Sequence, residues 1–256
     1  MERWIGKVAV VTGSSAGIGA AISKSLAEKG IIVVGLARRE DKIKELAATT
    51  TGTIHAVKCD VTDEGDITRA FQWVEDTLGG IDILVNNAGV LKLSSLGDGS
   101  TADWKEMFDL NVLGLSICTR EALKILKKKG GEGHIFHINS IMGHQVPQLG
   151  LGPFFGPYSA TKFAVTALTE ALRLELQGTN SPIKVTSISP GIVLTDMTTN
   201  ISKQMGMELP ETDVPSFLLA QDVADALVYA LSTRPGIQVH ELIIQPIGML
   251  QPTPIS

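Results

Sequence analysis

The sequence predicts an α/β fold, a single domain built on a doubly wound parallel sheet with helices on both faces. Three observations predict it. Short β-branched apolar runs alternate with amphipathic stretches of helical length almost from end to end. Those runs are nearly all apolar rather than alternating with polar residues, as expected of strands covered on both sides. The 256 residues, 44% hydrophobic and 19% charged, contain no linker rich in Pro, Gly or Ser, no internal repeat and no low-complexity tract that would divide a core.

Taken in order, Val8–Val11 is the first strand and Ile18–Lys29 the helix after it. Ile31–Leu36 is the second strand, followed by a helix over Lys42–Ala48, and Ile54–Val57 is the third. Asp63 is a polar N-cap type that leads into the helix Asp63–Leu78. Ile83–Val85 is the fourth strand, and Thr101 caps a long helix over Ala102–Lys128. The fifth, sixth and seventh strands are Ile135–Ile138, Val185–Ile188 and Leu242–Ile244, with helices at Tyr158–Gln177 and Ala220–Ser232 between them. Gly143–Pro157 and Asp196–Phe217 fit neither pattern. Unstructured segments of that length in a compact domain usually serve as functional lids, so 196–217 is expected to be a mobile lid.

Composition narrows the function classes. With 22 basic and 27 acidic residues the net charge is -5, which argues against nucleic acid or an anionic membrane as the main partner. No apolar run approaches the roughly 18 residues of a membrane span. Cys59 and Cys118 cannot build a disulfide framework, and no apolar signal segment precedes the first strand, so a reducing, cytoplasmic setting is expected. No metal site is expected either: His134 and His137 are three apart on one strand and point to opposite faces. Small molecules and further copies of the chain remain as partners.

TGSSAGIG follows the first strand immediately, with Gly13, Gly17 and Gly19 opening a helix. Glycines there let the chain turn tightly and bring backbone N–H groups up to a pyrophosphate, while the helix N-terminus offers its positive end. A Rossmann-type dinucleotide site over about residues 1–140 is therefore expected, with a catalytic and substrate half over about 140–256. An NAD enzyme would place an acid at the end of the second strand, to accept from the ribose 2′-OH. Here Ala37 stands there, followed by Arg38 and Arg39. Guanidinium groups pair with a 2′-phosphate, so NADP(H) is the expected cofactor and Arg38 the better single candidate.

Tyr158 and Lys162, four residues apart, project from one face of a predicted helix. Hydride transfer to or from a carbonyl needs an acid/base that titrates near neutrality. A tyrosine titrates near 10; an ammonium about 4 Å away at an effective dielectric of about 20 contributes on the order of 4 kcal/mol, enough to bring it towards 7. Ser140, after the fifth strand, is placed to donate a hydrogen bond to the substrate oxygen.

TGSSAGIG, NNAG at Asn86–Gly89, Asn111 in DLNVLG, Ser140, YSATK at Tyr158–Lys162 and PGIVLT at Pro190–Thr195, in this order over nearly the whole chain, resemble the short-chain dehydrogenase/reductase family. MERWIGKVAVVTG, LARR, SICTREAL and YSATKFAVTALTEALRLEL are most similar to the family's NADP-dependent farnesol-oxidising branch in insects and to its vertebrate ketosteroid and carbonyl reductases. The resemblance implies that Tyr158 is the general acid/base and that Lys162 lowers its pKa and holds the nicotinamide ribose. It implies that Ser140 polarises the substrate oxygen and that Asn111 anchors a water in a proton relay. It places Gly13, Ser15, Gly17, Ile18 and Gly19 at the phosphates, Asp60 and Val61 at the adenine, and Asn87, Ala88 and Gly89 along the cofactor cleft. Val193 and Thr195 would hold the carboxamide, with Pro190 and Gly191 also at the cofactor. The family's pairing of long helices across a two-fold axis implies a homodimer or homotetramer.

One departure from the family pattern matters: Ser140 and Tyr158 lie 18 residues apart, several more than is common, and the extra residues fall in VPQLGLGPFF. Leu91, Leu93, Ile141, Val146, Leu149, Leu151, Phe154, Phe155, Met197, Met205, Met207 and Leu209 are expected near the substrate. Such a lining suits an apolar alcohol or its aldehyde. His144 lies close enough to Ser140 in sequence to reach substrate. Three readings follow: NADP-dependent oxidation of a farnesol-like alcohol to its aldehyde, NADPH-dependent reduction of a ketosteroid or other carbonyl, and a dinucleotide-binding sensor without turnover. Intact Ser140, Tyr158 and Lys162 disfavour the third.

Overall fold

The computed structural model describes residues 1–147, 152–206 and 216–248. Seven strands, β1 (Val8–Thr12), β2 (Ile32–Ala37), β3 (Ile54–Lys58), β4 (Ile83–Asn86), β5 (Gly133–Ile138), β6 (Ile183–Pro190) and β7 (Glu241–Ile244), form one parallel sheet in the order β3-β2-β1-β4-β5-β6-β7. The chain runs outward from β1 to β3 and then jumps back to β4, so the order reverses between β1 and β4. A crevice opens at the carboxyl ends of the strands on either side of such a reversal. The turns after β1 and β4 are the two glycine-bearing motifs, so topology brings them together.

The helices are α1 (Gly17–Ala27), α2 (Glu40–Thr49), α3 (Glu64–Leu78), α4 (Thr101–Phe108), α5 (Leu115–Lys129), α6 (Gly152–Gly178), α7 (Asp196–Gln204) and α8 (Ala220–Ser232). Successive strand residues supply opposite faces. Val8 and Val10 join Ile67, Phe71, Ile117, Leu126, Leu172 and Leu176 in one core under α3, α5 and α6. Ala9 and Val11 join Ile22, Leu26, Val223, Leu227 and Leu231 in another under α1 and α8. Both faces of β1 are thus buried, which is why its sequence is an unbroken apolar run. Asp63 caps α3 by accepting from Asp66 N, and Gly79 ends that helix in the left-handed conformation.

Three segments differ from the sequence reading. The helix expected over Ala102–Lys128 is interrupted by a π-helical turn at Asp109–Gly114, within which the Asn111 side chain makes its contacts outside the helix. α6 begins at Gly152, ahead of Pro157. Pro157 is its sixth residue, so the missing N–H leaves one helical hydrogen bond unmade, and the helix start is tied down by Ser94 N donating to Phe154 O at 2.9 Å. Asp196–Phe217 was expected to be without regular structure, but it holds α7, whose start Thr195 and Thr198 close as a capping box. The remainder of that expected lid, 207–215, lies outside the described residues, as do Leu149, Leu151, Met207 and Leu209.

Candidate active site

The loop after β1 is built around absent side chains. Gly13 has a φ of 70°, and a Cβ there would lie 2.9 Å from Asn87 Nδ2. A Cβ on Gly19 would lie 2.3 Å from Gly13 O, so the loop and the first turn of α1 touch backbone to backbone. Asn87 donates through Nδ2 to Thr12 O at 2.9 Å, and the Thr12 hydroxyl accepts from Asn87 N and Ala88 N at 3.0 Å each. The NNAG segment therefore clamps the glycine loop; its amide N–H groups serve the fold. Thr12 was not singled out from sequence, although a hydroxyl ending an apolar strand just before a glycine turn is a readable signal.

A phosphate fits this loop. The N-cap of α1 is Ala16, which offers no side-chain cap, so the N–H groups of the first turn are left for an anion. Ser14 is fully buried and donates to Val11 O at 2.7 Å, so it faces inward; Ser15 accepts from Arg39 Nη2 at 3.3 Å at the mouth of the loop. Arg38 acts on Asp60. Burial opposes that carboxylate's charge, but bonds from Thr62 N and Thr62 Oγ1, at 3.0 and 2.7 Å, and the charge of Arg38 hold it below the usual range. Arg39 thus bonds the loop through Ser15, while Arg38, the candidate favoured from sequence, lies near Asp60. Val61 turns its side chain into the core beside Asp60.

Across the crevice, Ser140 caps the 3-10 turn Ile141–Gly143, accepting from Met142 N at 3.1 Å. Its hydroxyl also faces the Tyr158 phenol, close enough to oppose part of what burial does to it. Lys162 is buried, lies with Nζ 5.8 Å from the Tyr158 ring centre, and donates to Ile138 O at 3.0 Å. The charge effect expected from sequence is not what this geometry produces. Burial pushes the Tyr158 phenol well above its ordinary value, opposed by Ser140, and burial pulls Lys162 down to about 8. Desolvation dominates both groups, and the ammonium is committed to the Ile138 carbonyl.

Asn111 Oδ1 accepts from Val90 N at 2.8 Å, and Nδ2 donates to Val90 O at 2.8 Å and to Thr161 Oγ1 at 3.1 Å. Thr161 in turn donates to Tyr158 O at 2.7 Å. The Asn111 side chain therefore couples the exit of β4 to the Tyr158 turn, and only its backbone is left for a water. Gly89 lies close to this knot, its missing Cβ 3.4 Å from Asn111 Oδ1. After β6, Gly191 N donates to Ile244 O at 2.8 Å, and Val193 bridges to Leu218. Thr195 then starts α7 with its methyl group 3.3 Å from where a Gly17 Cβ would sit. The segment Pro190–Thr195 thus reaches the phosphate loop and closes the far side of the crevice.

The expected apolar lining divides. Leu91, Leu93, Ile141 and Met205 are half-buried, Met197 is exposed and Phe155 is core. Val146 is exposed. It lines a hollow of about 610 Å³ with Leu96, Trp104, Phe108, Pro157 and Ala160. Gly156 and Ala160, each two positions from Tyr158, are about 200° around α6 from it. His144 directs its Nε2 to Glu241 Oε1, 2.7 Å away at the start of β7.

The short chain dehydrogenase family model matches residues 7–206. A farnesol dehydrogenase of Aedes aegypti is 47% identical over 97% of this chain and 99% of its own length. A mouse dehydrogenase/reductase, SDR family member 11, is 44% identical over 96% of both chains. An alcohol dehydrogenase of the archaeon Thermococcus sibiricus, solved with 5-hydroxy-NADP, superposes with a TM-score of 0.81 at 25% identity over 94% of this chain and 97% of its own. A glycine loop at the sheet's reversal point, a serine, tyrosine and lysine converging across it, and these full-length likenesses lead to one conclusion: the chain belongs to the short-chain dehydrogenase/reductase family.

Proposed function

We propose that this enzyme interconverts an apolar alcohol and its carbonyl with NADP(H), and that a farnesol-like alcohol and its aldehyde are its substrate pair. The observation that carries the reading is the convergence of Ser140, Tyr158 and Lys162 on a crevice whose other wall is an uncapped helix start with Arg39 on Ser15. The nicotinamide, when bound, supplies the hydride acceptor or donor. Tyr158 carries the proton: it takes it from the alcohol oxygen in oxidation and returns it to the carbonyl oxygen in reduction. Ser140 holds that oxygen against the phenol. Lys162 keeps a positive charge beneath them below about pH 8. Arg39 and Ser15 receive the 2′-phosphate, with Arg38 beside the adenosine through Asp60. The half-buried Leu91, Leu93, Ile141 and Met205 accept an apolar chain and offer no charged group to a sugar or an acid. The similarity to a farnesol dehydrogenase supports the isoprenoid choice.

The reverse direction, reduction of a ketosteroid or other carbonyl with NADPH, uses the same residues, with the Tyr158 phenol giving its proton to the carbonyl oxygen. Rates with NADP against farnesol, geraniol and short alcohols, and with NADPH against ketosteroids and diketones, decide between them. Short polar alcohols oxidised as efficiently as farnesol would end the isoprenoid assignment. Tyr158→Phe keeps the ring and removes the proton; it lowers kcat by on the order of 10³-fold while leaving NADP binding intact.

The enzyme works as a homodimer or homotetramer in a reducing, cytoplasmic setting. The exposed Phe108, Leu113, Phe163 and Leu174 on the outer faces of α4 to α6 support the first, and the two free buried cysteines the second. No helix among the described residues is long and apolar enough to cross a membrane.

A further inference from the structure

We propose that Thr166 and Asn139 are positioning residues: together they clasp the Ser140 turn to the part of α6 that carries Lys162, and so set the Ser140–Tyr158 contact. The inference rests on the oxidoreductase reading above and adds to it two residues outside the family motifs described there.

The chain leaves β5 at Ile138, whose carbonyl accepts from Lys162 Nζ at 3.0 Å. Asn139, almost fully buried, donates its backbone N–H to Ile188 O at 2.8 Å and its side-chain amide to Thr166 Oγ1 at 2.9 Å. Thr166 has one proton to give. A threonine within a helix ordinarily gives it to the carbonyl four residues back, here Lys162 O at 3.2 Å. The Thr166 hydroxyl lies nearer to Gly143 O, at 3.0 Å, in the last residue of the Ser140 turn. Gly143 N closes that turn on Ser140 O at 2.8 Å. Two polar links therefore join the turn to α6, one at residue 138 and one at residues 139 and 143, and Ser140 lies between them.

Packing leaves the turn no slack. A Cβ on Gly143 would lie 2.7 Å from Asn139 Nδ2 and 2.9 Å from Lys162 O, so the turn rests flat on the helix backbone. Ser140 contributes to chemistry only if its hydroxyl stays within hydrogen-bond reach of the Tyr158 phenol. Tyr158 is on α6 and Ser140 on the turn, so the register between the two segments decides that reach. Misplacing a catalytic group by about 1 Å costs on the order of 10²-fold in rate. A residue that only filled the core would change stability and leave the rate of the folded protein untouched; the clasp predicts a change in rate.

The test uses Thr166→Val, which keeps the shape and removes the hydroxyl, with Thr166→Ser as the conservative rescue. Two readouts are compared with wild type: kcat and the KM for NADP on farnesol, and amide hydrogen exchange over 139–144. Thr166→Val is expected to lower kcat at least about tenfold, to leave the KM for NADP unchanged and to speed exchange over 139–144 while the phosphate-loop amides keep their rates. Thr166→Ser is expected to restore both. Unchanged exchange, or faster exchange with an unchanged kcat, overturns the proposal. If Thr166→Val does not fold, Gly143→Ala lifts the same turn through a different atom and must give the same pattern. A wild-type chain that turns over no alcohol or carbonyl defeats the oxidoreductase reading instead, and exchange over 139–144 then decides the clasp alone.

Discussion

The phosphate loop and the Ser140 turn sit on opposite sides of one crevice and are built by opposite means. The first depends on missing side chains: Gly13 and Gly19 let backbone touch backbone, and beneath them β1 is apolar up to its last residue, Thr12, with Val8, Val10 and Val11 in the cores. The second rests on a buried polar layer facing α6. His137 Nδ1 lies 2.8 Å from Thr169 Oγ1, Asn139 bonds Thr166, and Ser189 donates to Glu241 Oε1 at 2.5 Å. The loop must receive a ligand's phosphates, which backbone N–H groups serve well. The turn must hold two side chains in register, which needs directional bonds, and each such bond obliges another buried polar group to find a partner.

That contrast is broken most sharply at Gly19. Gly19→Ala puts a methyl group 2.3 Å from Gly13 O, a backbone atom that cannot swing away. We expect the KM for NADP to rise more than about 100-fold with some loss of thermal stability, measured by cofactor titration and calorimetry. If the alanine is tolerated, the loop is not packed as described.

The polar layer answers to pH. His137 is buried neutral, its pKa brought down from 6.5 to about 4 by burial and then by the charge of Lys162. A base whose folded pKa lies below its unfolded one contributes full stability above about pH 6.5 and loses it as pH falls towards 4. The loss is on the order of 3 kcal/mol. Urea midpoints between pH 7 and 4 should fall, and should fall less steeply in His137→Gln. The same slope in both proteins would remove His137 as the cause.

The smallest expected effect sharpens the loop side. Arg39→Ala should weaken NADP by about 10- to 100-fold and leave NAD unchanged, since a hydrogen bond to a charged group is worth about 1.5–3 kcal/mol. Arg38→Ala should do less, because Arg38 acts on Asp60. The reverse ranking, read as the ratio of kcat/KM with NADP to that with NAD, would return the phosphate to Arg38.

Much of this was legible in the chain. The seven strands, most of the helices, the glycine loop and the Ser140, Tyr158 and Lys162 set lie where periodicity and motif place them. These features are local: an apolar run, a turn that only glycine allows, two side chains four apart on a helix. What stayed hidden depends on atoms far apart in sequence. The π turn holds Asn111, whose side chain bonds Val90 and Thr161, α7 is closed by a Thr195–Thr198 box with only Met197 and Ile201 as a short apolar stripe, and His144 faces Glu241 97 residues away.

The sequence by itself thus determined the sheet, the phosphate loop and which three residues face the crevice, because each follows from short-range sterics and burial. Only the tertiary structure decided which arginine meets Ser15, which way Lys162 and Tyr158 shift, and what holds Ser140 in place. Those depend on desolvation and on hydrogen bonds between elements, and neither quantity exists until the chain has folded.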